Sequence, residues 1–172
     1  MLQRLPKEID PFRFAHNGLH LQGQLALTKM SRLATSLAND EGVVDVDMRF
    51  DIDELGTPYL AGRFKTTLTL ICERCLEPMF IDVDTDCLLA FVKNEYKAEQ
   101  LAEQYEPWFV ENDEPVDPIR IVEDELILAL PLVPRHDYSC LPEDAWYSGE
   151  KESVPEKPAS PFAVLSALKS KK

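Results

Sequence analysis

The plainest signal in this chain is an alternation of period two. From 44 to 53, Val44, Val46, Met48, Phe50 and Ile52 alternate with Asp45, Asp47, Arg49, Asp51 and Asp53. An extended chain with that pattern turns one face to a core and leaves the other charged. The same period appears in 19–27, where Leu19, Leu21, Leu25 and Leu27 share a side and Gly23 suggests a bulge or a close backbone approach. It returns in 59–72 through Phe64, Leu68, Leu70 and Cys72. It returns again in 79–92, where Ile81, Val83, Cys87, Leu89 and Phe91 oppose Asp82, Asp84 and Asp86. Short turn-rich connections at 54–58 and 73–78 join the last three runs, which predicts an antiparallel β meander.

Elsewhere the period lengthens. In 117–134, Asp117 and Pro118 make a helix start, and Pro131 and Pro134 forbid continuation. Ile119, Val122, Leu126, Ala129 and Leu130 share one face of this helix, Ile121 and Leu128 point nearly opposite, and Glu123, Asp124 and Glu125 fall between. Either sheet and returning chain trap the helix from both sides, or Ile121 and Leu128, with the three acids, form a partner-binding surface. A second helix, capped by Thr28, is predicted through Met30, Leu33, Ala34 and Leu37 to near Gly42. A polar helical stretch is expected over 93–104, then an extended piece over 105–110. The fold class is α+β, a sheet packed with two or three helices. The expected organisation is a globular domain over 1–132, a Pro-rich acidic arm over 133–160, and a short helix with a basic tail over 161–172.

The formal charge is −13, from 31 acidic and 18 basic residues. Such a field repels phosphate, so naked nucleic acid is a poor direct partner. From Lys93 to Glu125 there are eleven acids against three bases, whereas 157–172 carries four lysines and no acid. Lys169, Lys171 and Lys172 are therefore the one candidate RNA contact, a weak one without aromatic stacking. No apolar run approaches a membrane span and no secretory leader opens the chain, so a cytoplasmic protein with reduced or metal-bound cysteines is expected.

The four cysteines are Cys72, Cys75, Cys87 and Cys140. Cys72-Glu-Arg-Cys75 could hold one edge of a zinc tetrahedron, with His136 and Cys140 as the other two ligands. Reduced structural thiols and redox chemistry are the competing readings. Thioredoxin-like chemistry is disfavoured because Cys72 ends a strand instead of opening a helix. Cys87 reads as a small core residue. No catalytic constellation, Walker loop or dinucleotide fingerprint is present.

Tyr105-Glu106-Pro107, the block VEDELILALPLVPRH at 122–136, CERC at 72–75, Cys140 and PFAVLSALK at 161–169 together resemble the YceD family of bacterial proteins. The resemblance extends over nearly the whole chain. It implies a role in synthesis, processing or stability of 23S ribosomal RNA, with no known catalytic activity and no certain cofactor. Joined to the charge, it implies indirect action on RNA, through a ribosomal protein or a large-subunit assembly intermediate, with the acidic stretch around 95–125 as the attracting surface. A zinc-binding or redox-responsive module built on Cys72 and Cys75 is the alternative. A ribosomal RNA nuclease is the rival from another class, for which no convergent carboxylates can be assembled.

Overall fold

The alternating runs form the strands of one sheet. In the computed structural model, which describes residues 5–110, 115–142 and 145, they are β1 (His20–Ala26), β2 (Val43–Ile52), β3 (Pro58–Ile71) and β4 (Pro78–Val92). A fifth strand, β5 (Glu106–Phe109), follows, and the spatial order is β1-β2-β3-β4-β5. The first four pair antiparallel with their neighbours, and β5 runs parallel to β4, so the sheet is mixed. A parallel neighbour requires a crossover, and residues 93–105 supply it, including the short helix α3 (Glu95–Ala98). The class is α+β.

The predicted parity holds along the sheet. Val44, Met48, Phe50, Leu60, Phe64, Leu68, Leu89 and Phe91 lie in the core. Gly23 sits in an unbroken register opposite Val46, so no bulge forms there. The stretch expected as a helix capped by Thr28 is shorter than its periodicity suggests. Leu27–Lys29 make a 3-10 turn and only Ser31–Ala34 make an α-helix, α2, with Met30 at its cap position and no side-chain cap from that residue. Its apolar spacing serves burial: Met30 and Leu33 are fully buried although the regular helix spans a single turn. The polar helix expected over 93–104 likewise contracts to Glu95–Ala98.

Two helices enter the core side by side. In α1 (Pro11–His16) the Asp10 carboxylate accepts from Arg13 N–H at 3.0 Å, and in α4 (Pro118–Leu128) Asp117 accepts from Ile119 N–H at 2.9 Å. Each helix thus opens on Asp–Pro, and the residues just before them, Ile9 and Val116, exchange backbone hydrogen bonds at 2.9 and 2.7 Å. Phe14 of α1 meets Phe50 edge-on at 5.3 Å between ring centroids, and Phe50 stacks on Phe91 at 6.1 Å. From α4, Ile121, Val122 and Leu126 are fully buried. Burying each such side chain is worth about 1.5–3 kcal/mol, against about 1 kcal/mol for an N-cap, so packing holds α4 and the cap fixes where it starts.

The chain divides into two compact units, Met1–Tyr138 and Ser139–Lys172. The expected helix over 161–169, with Lys169, Lys171 and Lys172, lies outside the described residues. Among the described residues no helix is long and apolar enough to cross a membrane.

Gly62 marks a close approach within the sheet. It pairs directly with Cys87, and a Cβ placed on it would meet the Cys87 sulfur at 2.7 Å and the Phe64 ring at 2.8 Å. Gly62→Ala is expected to lower unfolding free energy by about 1–3 kcal/mol, the ordinary range for overpacking. Urea unfolding checks this; an unchanged midpoint would show that the Phe64 ring moves aside at no cost.

Candidate metal centre and partner face

The β3–β4 hairpin ends in the CERC turn. Cys72 continues the ladder beyond β3, donating its N–H to Glu77 C=O at 3.0 Å, while Leu76 N–H returns to Cys72 C=O at 2.8 Å. Leu76 takes the left-handed conformation, φ 62°, and the turn brings Cys75 back towards Cys72. The segment after α4 is fastened across this turn. Glu73 N–H donates to Pro134 C=O at 2.9 Å, and the Arg74 guanidinium donates to His136 C=O at 2.9 Å and also to Tyr138 C=O. His136 Nδ1 consequently lies 3.4 Å from Cys75 Sγ, and ligand atoms of Cys72, Cys75 and His136 all fall within 4.8 Å of one another. Cys140 follows in the second compact unit.

Cys72 is fully buried. Burial pushes its thiol up, but backbone N–H groups of Cys75, His136 and Arg74 and the Cys75 side chain outweigh that, bringing it down to about 5. Cys87 differs in kind. It is half-buried on β4, and burial first, then the charge of Glu125, pushes its thiol up to about 12, the behaviour of an inert core cysteine. Sequence reasoning singled out the cysteines of CERC and missed Arg74. The available signal was that Arg74 is the only cation in the motif.

The sheet's outer face carries Asp45, Asp47 and Asp51 from β2 and Asp82, Asp84 and Asp86 from β4, against Arg49, Arg63 and Lys65. Arg63 grips Asp84 with two hydrogen bonds of 2.9 Å, and Lys65 joins it at 3.0 Å, which holds that carboxyl well below the usual range. Asp47 accepts from Gln22 at 2.6 Å and lies 2.8 Å from His20, and Thr67 donates to Asp82 at 2.7 Å. Such exposed pairs are worth little to stability. The aspartates on this face still outnumber its bases. Of the acids between 95 and 125, Glu95, Glu99, Glu103 and Glu106 are exposed near the β5 edge.

The three acids of α4 do something else. Glu123 is 5% exposed and Glu125 8%, so neither forms the solvated face or partner surface that the sequence suggested. Glu123 Oε1 accepts the N–H groups of Arg32 and Leu33 at 2.7 and 3.2 Å, and its Oε2 accepts from Arg32 Nε at 3.0 Å. Arg32 Nη2 also reaches Asp124 at 2.5 Å. A side chain from α4 thereby caps the first turn of α2, which has no cap of its own. The apolar pair divides as well: Ile121 is fully buried, while Leu128 is 74% exposed. Ile121 lies at one edge of the buried arc and Glu123 about 200° round the helix at the other, so the core and α2 flank opposite sides of α4. Sequence reasoning missed Arg32, whose partners lie about ninety residues away.

The sequence profile described as Large ribosomal RNA subunit accumulation protein YceD matches residues 60–169, more than half of the chain. This chain belongs to the YceD family. A Haemophilus influenzae protein named Large ribosomal RNA subunit accumulation protein YceD is 34% identical over 171 residues, covering 98% of each chain. No solved structure matches. In this YceD chain the profile begins within β3 and takes in the CERC turn and α4, while the Haemophilus protein also aligns with the segments that precede it.

Within the YceD fold, Glu123 and Glu125 should respond to pH in opposite senses. Burial pushes the Glu123 carboxyl up, but the Leu33 and Arg32 N–H groups and the guanidinium outweigh it, leaving it low. Its stabilisation is therefore present above the ordinary glutamate value, about 4.3, and is lost as pH falls through the lowered folded value. Burial, then Glu106 and Asp124, push Glu125 up, so its contribution is present at low pH and lost as pH rises through the raised value. At pH 7, Glu123→Gln is expected to cost about 1.5–3 kcal/mol and Glu125→Gln to stabilise. Denaturation of both variants at pH 7 and pH 4 checks this; equal effects of one sign would contradict it.

Proposed function

We propose that this chain supports accumulation of the large-subunit, 23S ribosomal RNA as a non-enzymatic biogenesis factor, and that it does so by engaging a basic protein of the assembling subunit. The large-subunit role is suggested by the name of its Haemophilus relative. The observation that carries the proposed mode of action is the outer face of the sheet, whose six aspartates outnumber three bases in a chain of net charge −13. A surface of that sign attracts a basic polypeptide and repels a phosphate backbone, and it acts on encounter rate and specificity more than on raw affinity. Glu95, Glu99 and Glu103, around α3, are further exposed acids of the chain. A basic large-subunit protein carries the charge that complements this face.

The test is complementation. In a strain lacking the gene, the ratio of 23S to 16S ribosomal RNA is measured with the wild-type chain restored, and with a chain carrying Asp45→Lys, Asp82→Lys and Asp86→Lys. These residues are exposed, and surface substitutions of this kind usually change stability by less than about 0.5 kcal/mol each. The folded triple variant is expected to leave 23S RNA depleted and to lose its salt-sensitive co-purification with basic large-subunit proteins. Full rescue by that variant would overturn the proposal.

A further inference from the structure

We propose that Cys72, Cys75 and His136 hold a single zinc ion at the end of the β3–β4 hairpin. Three observations lead there. The hairpin turn and the strap behind it are joined by their own backbone and by Arg74, so Cys72, Cys75 and His136 converge although some sixty residues separate the halves. Their ligand atoms lie within 4.8 Å of one another. The distance from Cys75 Sγ to His136 Nδ1 is 3.4 Å, close to the edge of about 3.6 Å that a tetrahedron with Zn–S near 2.3 Å and Zn–N near 2.05 Å requires.

The donor set chooses the metal. Thiolates with one imidazole suit zinc, whereas calcium and magnesium need oxygen ligands. Three protein ligands leave the fourth position of the tetrahedron to a further donor. On binding, each ligating thiol releases its proton to solvent and the imidazole binds as the neutral ring through Nδ1; no electrons move. The ion would staple the strap after Pro134 onto a hairpin end that carries no helix. Cys87, half-buried on β4 with a raised thiol, serves as the internal control.

The full-length chain is expressed with zinc supplied, freed of loosely bound ions by gel filtration, and its metal content measured. The expected result is about one zinc per chain, absent from the Cys72→Ser and Cys75→Ser variants and unchanged in Cys87→Ser. Cobalt substitution of the wild type is expected to give a thiolate charge-transfer band that is lost in the Cys72→Ser/Cys75→Ser double variant. Chelation of the bound ion is expected to lower the thermal midpoint of the wild type. A wild-type chain that folds yet holds no stoichiometric zinc, or that carries a Cys72–Cys75 disulfide by mass, would overturn the proposal. So would one zinc per chain retained by the Cys72→Ser/Cys75→Ser double variant. In that case the 3.4 Å contact is a thiol–imidazole hydrogen bond only.

Discussion

Side chains along a strand point to opposite faces, and in this chain that geometric rule sorts charge as well as hydrophobicity. Val44, Val46, Met48 and Phe50 go inward from β2, and the residues between them are aspartates and an arginine. β4 repeats the division with Val83, Leu89 and Phe91 against Asp82, Asp84 and Asp86. One face must therefore be covered, and the other cannot be covered by anything apolar or anionic. The helices satisfy the first demand. The second leaves an anionic sheet facing water, and the functional reading grows from that face.

Covering the inner face is done economically in chain length. Among the described residues only α4 exceeds two turns, and the residue before it, Val116, bridges to Ile9 just ahead of α1. The one-turn α2 could not persist alone in water. It is held because Glu123 supplies the missing cap and because Met30 and Leu33 are fully buried. A carboxylate is thus placed inside the fold where three donors satisfy it, while Glu125, two residues further on, is buried among like charges. The two neighbours illustrate how burial alone raises a carboxyl and how donors reverse that outcome.

The strands and α4 were legible because their signals are local. Alternation over ten residues, a turn at 54–58, and an Asp–Pro start bounded by later prolines each act within a few residues. The same Asp–Pro start at Asp10 and Pro11 opens α1, yet no apolar stripe long enough to announce a helix follows it. What stayed hidden depends on distant chain. Glu123 reads as a surface candidate until α2 and Arg32 arrive from ninety residues away, and Ile121 is buried as well. The parallel pairing of β5 follows from a crossover and not from its four residues. The cysteine and histidine types already put His136 with Cys75, but the backbone contact that joins them, Glu73 to Pro134, is one that no side-chain pattern encodes.

The central claim is that this acidic chain influences ribosomal RNA through another polypeptide. The most direct measurement is equilibrium binding of the purified full-length chain to bare 23S transcript near physiological ionic strength, beside the same titration with basic large-subunit proteins. The expected result is saturable, salt-sensitive binding to a protein component and none to the transcript. Tight, saturable binding to the bare transcript, with no protein component captured, would contradict it.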